Sequence, residues 1–169
     1  KSDNEEVWKT FRETQKQAKL SQKGVDRIQV LRAKLDHDGV KNRQLIVSVD
    51  GSYSNATVLK SLPERTTLIG RIRKENRLNC TPDTSLKGVG SNRIYGEELP
   101  TPEQIRQDKD ISWQEVNAFA AGKVHTFNVK VIKNIRWRKN LQLVIIRPLA
   151  YRLTKKSNLL YRQPAYLLC

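Results

Sequence analysis

From Thr126 onward, apolar and polar residues alternate with a period of two, and this constrains the fold more than any other feature of the chain. Phe127, Val129, Val131, Ile135 and Trp137 fall on one side of the alternation, and Asn128, Lys130, Asn134, Arg136 and Arg138 on the other. Period two marks a strand, because successive side chains leave the pleat on opposite faces. Ile132 and Lys133 break the rule. Lys139 and Asn140 offer a hairpin turn, and residues 141–146 a return strand closed by Arg147 and Pro148. Further strands are predicted at 159–162 and 165–169. The C-terminal half is therefore expected to be mainly antiparallel β, with one apolar and one cationic face.

The N-terminal half reads differently. Residues 4–20 predict a helix with Val7, Phe11 and Ala18 on one face. Ser21 is a candidate N-cap for a second helix, in which Val25, Ile28, Leu31 and Leu35 follow helical spacing and Gly39 supplies the stop. The two helices are expected to pack on a sheet. Residues 45–50 (LIVSVD) are a short β-branched run without strict alternation, as in a strand buried on both faces. A helix over 55–62, stopped by Pro63, and a strand over 66–73 complete a βαβ unit. Residues 75–112 are polar and rich in turn formers. They predict a long loop with one short helix near 101–107, where Thr101 is the cap and Pro102 the first helical residue.

Charge narrows the partner. The 169 residues carry 32 Lys+Arg against 17 Asp+Glu, a net charge of +15. Residues 116–169 hold no acidic side chain, while Lys123, Lys130, Lys133, Arg136, Arg138, Lys139, Arg147, Arg152, Lys155, Lys156 and Arg162 are all cationic. A surface of one sign over this length repels itself unless a polyanion neutralises it, and nucleic acid is the first candidate. A membrane surface ranks lower, since no basic amphipathic helix is evident. No apolar run is long enough to span a bilayer, the longest clear one being 143–146, and the start is charged and polar. A cytoplasmic location is expected. Cys80, Cys169, His37 and His125 are mutually isolated, which argues against structural zinc and a disulfide framework. The chain opens at Lys1, holds no methionine and stops inside the apolar run 165–169, so both ends read as cut and a fragment is expected.

Asp50 is the leading candidate for chemistry. It follows a predicted central strand, and ligands of open α/β sheets gather at the C-terminal ends of strands. A carboxylate there can hold a divalent cation, or it can cap the turn that follows. On the residues alone both readings stand. The segments LIVSVDGSYSNATVL (45–59) and LPERTTLIGRIRK (62–74) resemble the second-aspartate block of insertion-sequence DDE transposases. Those enzymes follow the Asp with a small residue and Tyr, a helix, and a strand ending in Arg-x-Arg-Lys. WQEV (113–116), AAGKVH (120–125), IRWR (135–138), RPLAYR (147–152) and LYRQPAY (160–166) resemble the β-rich insertion such enzymes carry between their second Asp and their Glu.

The resemblance implies an α/β fold: a partial RNase H-like mixed sheet with flanking helices, followed by a β-rich antiparallel insertion. It divides the chain into a partial catalytic core (1–80), a loop or linker (81–112) and a basic β-rich insertion (113–169). It implies Mg2+ or Mn2+ as cofactor, Asp50 as catalytic metal ligand, DNA at transposon ends as partner, and a homo-oligomeric parent. Arg71, Arg73 and Lys74 are the expected phosphate contacts beside Asp50, and Lys130, Arg136, Arg138 and Lys139 those on the β-rich part. Two elements of the family pattern are missing. Asp3, Asp26, Asp36 and Asp38 lie in or beside helical stretches, so none matches the first Asp. No Tyr-x-x-Arg-x-x-x-Glu occurs, and Glu115 sits in a different block. The fragment alone is expected to hold no metal pair and to be inactive. The alternatives are a non-catalytic nucleic-acid-binding β module and a structural RNA-associated protein. Trp113 and Trp137 are candidate base-stacking residues, with core packing preferred for Trp137, and Tyr53 is expected behind Asp50.

Overall fold

A computed structural model describes residues 2–83, 93–120, 122–137, 139–154 and 156–169. The chain forms two compact units, 1–70 and 71–169, and its elements are mixed α/β with mostly antiparallel strand pairing.

The first unit opens with helices α1 (Ser2–Ala18) and α2 (Leu20–His37). The N-cap of α2 is Lys19 rather than the expected Ser21; Ser21 lies within the helix, and the break between the helices falls two residues earlier. Gly39 ends α2 as expected. Its φ of +82° suits a residue without Cβ, and Val40 N–H returns to the Leu35 carbonyl at 3.1 Å. The buried stripe of α2 is Val25, Ile28 and Arg32, while Leu31 is exposed. Burial of Arg32 is balanced by its bonds to the Arg43 carbonyl (2.7 Å) and Asp36 (2.6 Å). Asp36 also meets Arg65 at 3.3 Å, which ties α2 to the turn before the next strand. The expectation that both helices pack on a sheet fails for α1. Residues 4–15 are exposed throughout, and Val7, Trp8 and Phe11 stand in solvent.

Strand β1 (Leu45–Val49), helix α3 (Ala56–Lys60) and strand β2 (Thr66–Arg71) form the βαβ unit read from the sequence. However, β1 is not buried on both faces as expected: Leu45, Val47 and Val49 are half-buried while Ile46 and Ser48 are exposed. β1 and β2 pair in parallel, from Leu45↔Thr66 to Val49↔Gly70. Asn55 caps α3 by accepting the Val58 N–H at 3.1 Å. Val58, Leu59 and Leu68 are buried between these elements.

In the second unit, β3 (Leu78–Cys80), β4 (Glu98–Leu99), β5 (Gln114–Ala120), β6 (Lys123–Trp137), β7 (Lys139–Ile146) and β10 (Ala165–Leu168) form an antiparallel sheet. Its order is β10-β7-β6-β3-β4, with β5 on the first half of β6. A separate ribbon pairs β8 (Ala150–Tyr151) with β9 (Leu160–Tyr161). Strands β3, β4 and β5 were not anticipated. The first two are only three and two residues long, too short for a periodic signal. Helix α4 (Pro102–Gln107) forms where expected, with Thr101 and Gln104 as a reciprocal capping box and Pro102 in the first turn. Ile72, Leu78, Ile105, Ile135, Leu143, Ile145, Tyr166 and Leu168 make the core.

The two residues that broke the alternation mark a β-bulge. The register runs Ile132↔Leu143 and then Ile135↔Leu141, so β6 carries one extra residue there. Asn134 absorbs it at φ +60°, a conformation Asn tolerates better than most residues. This corrects the assignment of faces. Lys130 lies opposite Ile145 and Ile132 opposite Leu143, so both share the core face with Ile135 and Trp137. Val129 and Val131 lie on the other face. The hairpin turn is corrected too. Pairing reaches Trp137↔Lys139, which makes Lys139 and Asn140 strand residues.

Candidate functional site

Asp50 follows the last residue of β1 and is exposed. Its Oδ1 accepts the Ser52 N–H at 2.9 Å and the Ser52 hydroxyl. The chain then closes on the Asp50 carbonyl, which accepts the Tyr53 N–H and the Ser54 hydroxyl, both at 3.3 Å. The Asn55 side-chain amide donates to the Ser52 carbonyl at 2.8 Å, so the turn and the cap of α3 are one network. The Ser52 hydroxyl, followed by its N–H, favours the charged form and lowers the Asp50 pKa from its ordinary value.

Two glycines let this turn sit where it does. A Cβ on Gly70 would lie 2.1 Å from Ser54 Oγ and 3.1 Å from Ser54 Cβ. Ser54 is buried, so only a glycine on β2 admits it. A Cβ on Gly24 would lie 2.8 Å from the Tyr53 ring. Tyr53 therefore packs on α2 at Gly24, which specifies the position expected only as behind Asp50. The turn-capping reading of Asp50 is what the geometry displays. Among the described residues no three His, Cys, Asp or Glu side chains come together as a metal site. Asp50 is a single carboxylate and does not by itself fit a two-metal centre.

The expected phosphate contacts fall into three groups. Arg71, Arg73 and Lys74 are exposed at the start of the second unit, flanking the core residue Ile72. Lys74 lies 3.7 Å from Glu75. Arg136 and Lys139 lie at the end of the β6–β7 hairpin but on opposite faces, Arg136 opposite Asn140 and Lys139 opposite Trp137. Arg136 donates to Asn140 Oδ1 at 2.9 Å and to the Ile94 carbonyl at 3.3 Å. Arg138 lies outside the described residues.

Lys130 is the third group and is a correction. It is 1% exposed. Its ammonium donates to the carbonyls of Ile105 (2.9 Å), Arg106 (3.1 Å) and Asp108, and lies 4.8 Å from the centre of the Trp113 ring. Those carbonyls belong to the end of α4, where the helix has no backbone donor left to offer them and carries partial negative charge. Lys130 is thus a buried helix cap and makes no surface contact. Trp113 is held between Lys130 and Arg147, whose guanidinium is 5.9 Å from the ring, and packs on the core. Trp137 also packs there, as preferred. Glu115 is exposed on β5, opposite Asn128.

A second polar cluster ties α4 to β10. Glu103 takes two bonds from Arg106, at 2.6 and 2.9 Å, and one each from the Tyr166 hydroxyl and Gln107. The Arg106 bond, with Tyr166 and Gln107 behind it, pulls the Glu103 pKa to about 2. Burial, with Glu103 beside it, pushes Tyr166 to about 12. Glu103, Arg106 and Gln107 are neighbours on one helix, but sequence reasoning missed the cluster because Tyr166, which ties it to β10, lies 63 residues from Glu103. No helix among the described residues is long and apolar enough to cross a membrane. No family model, curated protein or solved structure matches this chain.

Proposed function

We propose that this chain is part of an enzyme that cleaves and joins DNA strands during movement of an insertion element, with Asp50 as one of its catalytic carboxylates. The placement of Asp50 carries this reading. It is an exposed carboxylate at the C-terminal end of a strand in a parallel βαβ unit. In this reading β1, α3 and β2 belong to an RNase H-like sheet, and the acid-free stretch 116–169 lies along DNA at the transposon ends. The remaining carboxylates for Mg2+ or Mn2+ come from outside the described residues, and the working protein is an oligomer. Bound metal would activate the attacking oxygen and stabilise the leaving one. Asp50 contributes a hard oxygen ligand already in its charged form.

The test is Asp50→Asn in the protein encoded by the whole reading frame. Strand cleavage should be lost while DNA affinity stays within about twofold, because Asn keeps the shape and removes the charge. Near-normal cleavage would remove Asp50 from the chemistry. The second reading is a nucleic-acid-binding β module without catalysis, favoured by the lack of a three-residue metal cluster among the described residues. In that case the wild-type protein binds DNA equally with and without divalent metal, and cuts none.

A further inference from the structure

Strands β7 and β10 are neighbours, and the end of one faces the start of the other: Ile146 lies directly opposite Ala165. A turn of two to five residues suffices to close such a pair. The chain instead leaves the sheet over residues 147–164. Pro148 and Pro164 stand near its two ends, and the β8–β9 ribbon lies between them. The sheet does not need this excursion for its pairing.

The excursion is ordered by its own bonds. Ala150 pairs with Tyr161 and Tyr151 with Leu160. Arg162 N–H reaches the Leu149 carbonyl at 2.9 Å. The Ser157 N–H closes a turn on the Thr154 carbonyl at 3.1 Å, and the Ser157 hydroxyl accepts the Thr154 N–H at 3.0 Å. At the base, Arg147 N–H is held by the Asn128 carbonyl of β6 at 2.9 Å. Of the described residues of the ribbon almost none is buried, and Tyr161 is 66% exposed. Its sequence carries Arg147, Arg152, Lys155, Lys156 and Arg162 with no carboxylate. The described cations Arg152, Lys156 and Arg162 are exposed, and none has an acidic partner within the ribbon. Arg162 lies 5.6 Å from the centre of the Tyr151 ring, so cation and aromatic surface form one patch.

We infer that the β8–β9 ribbon is a DNA-docking element that enters the major groove of a duplex, with Arg152, Lys156 and Arg162 on its phosphates. This rests on the reading of DNA as partner and adds the element that grips it. A two-stranded ribbon fits the B-form major groove, about 12 Å wide, whereas the major groove of A-form RNA is too narrow for side chains to read. A lipid surface fits less well. The Tyr151 face pairs with Leu160 and also carries Arg162, so the ribbon has no wholly apolar face to bury among acyl chains.

The experiment measures binding of the full chain to a duplex DNA over a range of salt. Three proteins are compared: wild type, R152A/K156A/R162A, and a variant in which Asn-Gly replaces residues 147–164. The second variant keeps the β7–β10 pair on a tight hairpin turn, and circular dichroism checks that both variants fold. Each lost phosphate contact should lower the slope of log K against log salt by about 0.9, so the triple variant should be shallower by about 2.7 and at least about tenfold weaker at low salt. The excision should lose at least as much. An unchanged slope in a folded variant overturns the ribbon assignment while leaving DNA as partner. A wild-type chain without salt-dependent DNA binding overturns both. Equal affinity for an RNA duplex, or for vesicles of anionic lipid, overturns the groove-docking proposal.

Discussion

Lys130 shows how one residue can invert a reading made from pattern alone. Its place in a run of alternating cations put it on a solvent face, yet its ammonium closes the end of α4 through three carbonyls. Lys130→Met should destabilise the second unit by about 2–4 kcal/mol, because buried acceptors are left without donors. Urea unfolding measures this, and a loss below about 1 kcal/mol would contradict the capping role. Glu103 is the complementary case. Its folded pKa of about 2 lies below its ordinary value, so its stabilising contribution is full above about pH 4.5 and is lost as pH falls towards 2. Tyr166 has the opposite sign: its neutral form is favoured, and that contribution is present below pH 10 and lost as pH rises through about 12. Glu103→Gln should therefore flatten the acid limb of the stability curve while lowering stability at neutral pH. An acid limb identical to wild type would show that the cluster is not coupled to folding.

At the scale of elements, legibility followed local chemistry. Helix α4 was readable because Thr101, Pro102 and Gln104 are all local signals. The βαβ unit was readable because β-branched runs, Asn55 and Pro63 punctuate it. The faces of β6 were not, since a period-two reading assumes an unbroken register, and one extra residue at Asn134 turns every later side chain over. The break at Ile132 and Lys133 was the available signal. Strand β5 carries no period-two signal, since Val116 and Phe119 are three residues apart and both exposed; the Gly122 turn after it, at φ +81°, was the available cue. The turn at Asp50 depends on a contact no pattern reveals, the close approach of Ser54 to Gly70. Gly70→Ala should displace Ser54, loosen the Asp50 turn, and destabilise the first unit by about 1–3 kcal/mol. Normal stability, with a wild-type backbone around Asp50 by NMR, would show that the strand yields without consequence.

For the whole molecule, the separation of charge was legible from composition, and its use was not. Thirty-two cations do not form one uniform face. Lys130 caps a helix, Arg32 braces α2 from inside, and Arg106 binds Glu103, while among the described residues no ion pair engages Arg152, Lys156 or Arg162. The structure thus separates cations that hold the fold from those open to a polyanion. The proposed role of Asp50 as a metal ligand in DNA strand cleavage is open to a test by metal exchange. Asp50→Cys in the whole-frame protein replaces a hard oxygen ligand with a soft sulfur one, which disfavours Mg2+ and tolerates softer ions better. Cleavage by this variant should fall at least about a hundredfold with Mg2+ and recover substantially with Mn2+, while wild type cuts with either ion. Equal loss with both ions, or full activity with Mg2+, would contradict the assignment of Asp50 to the metal.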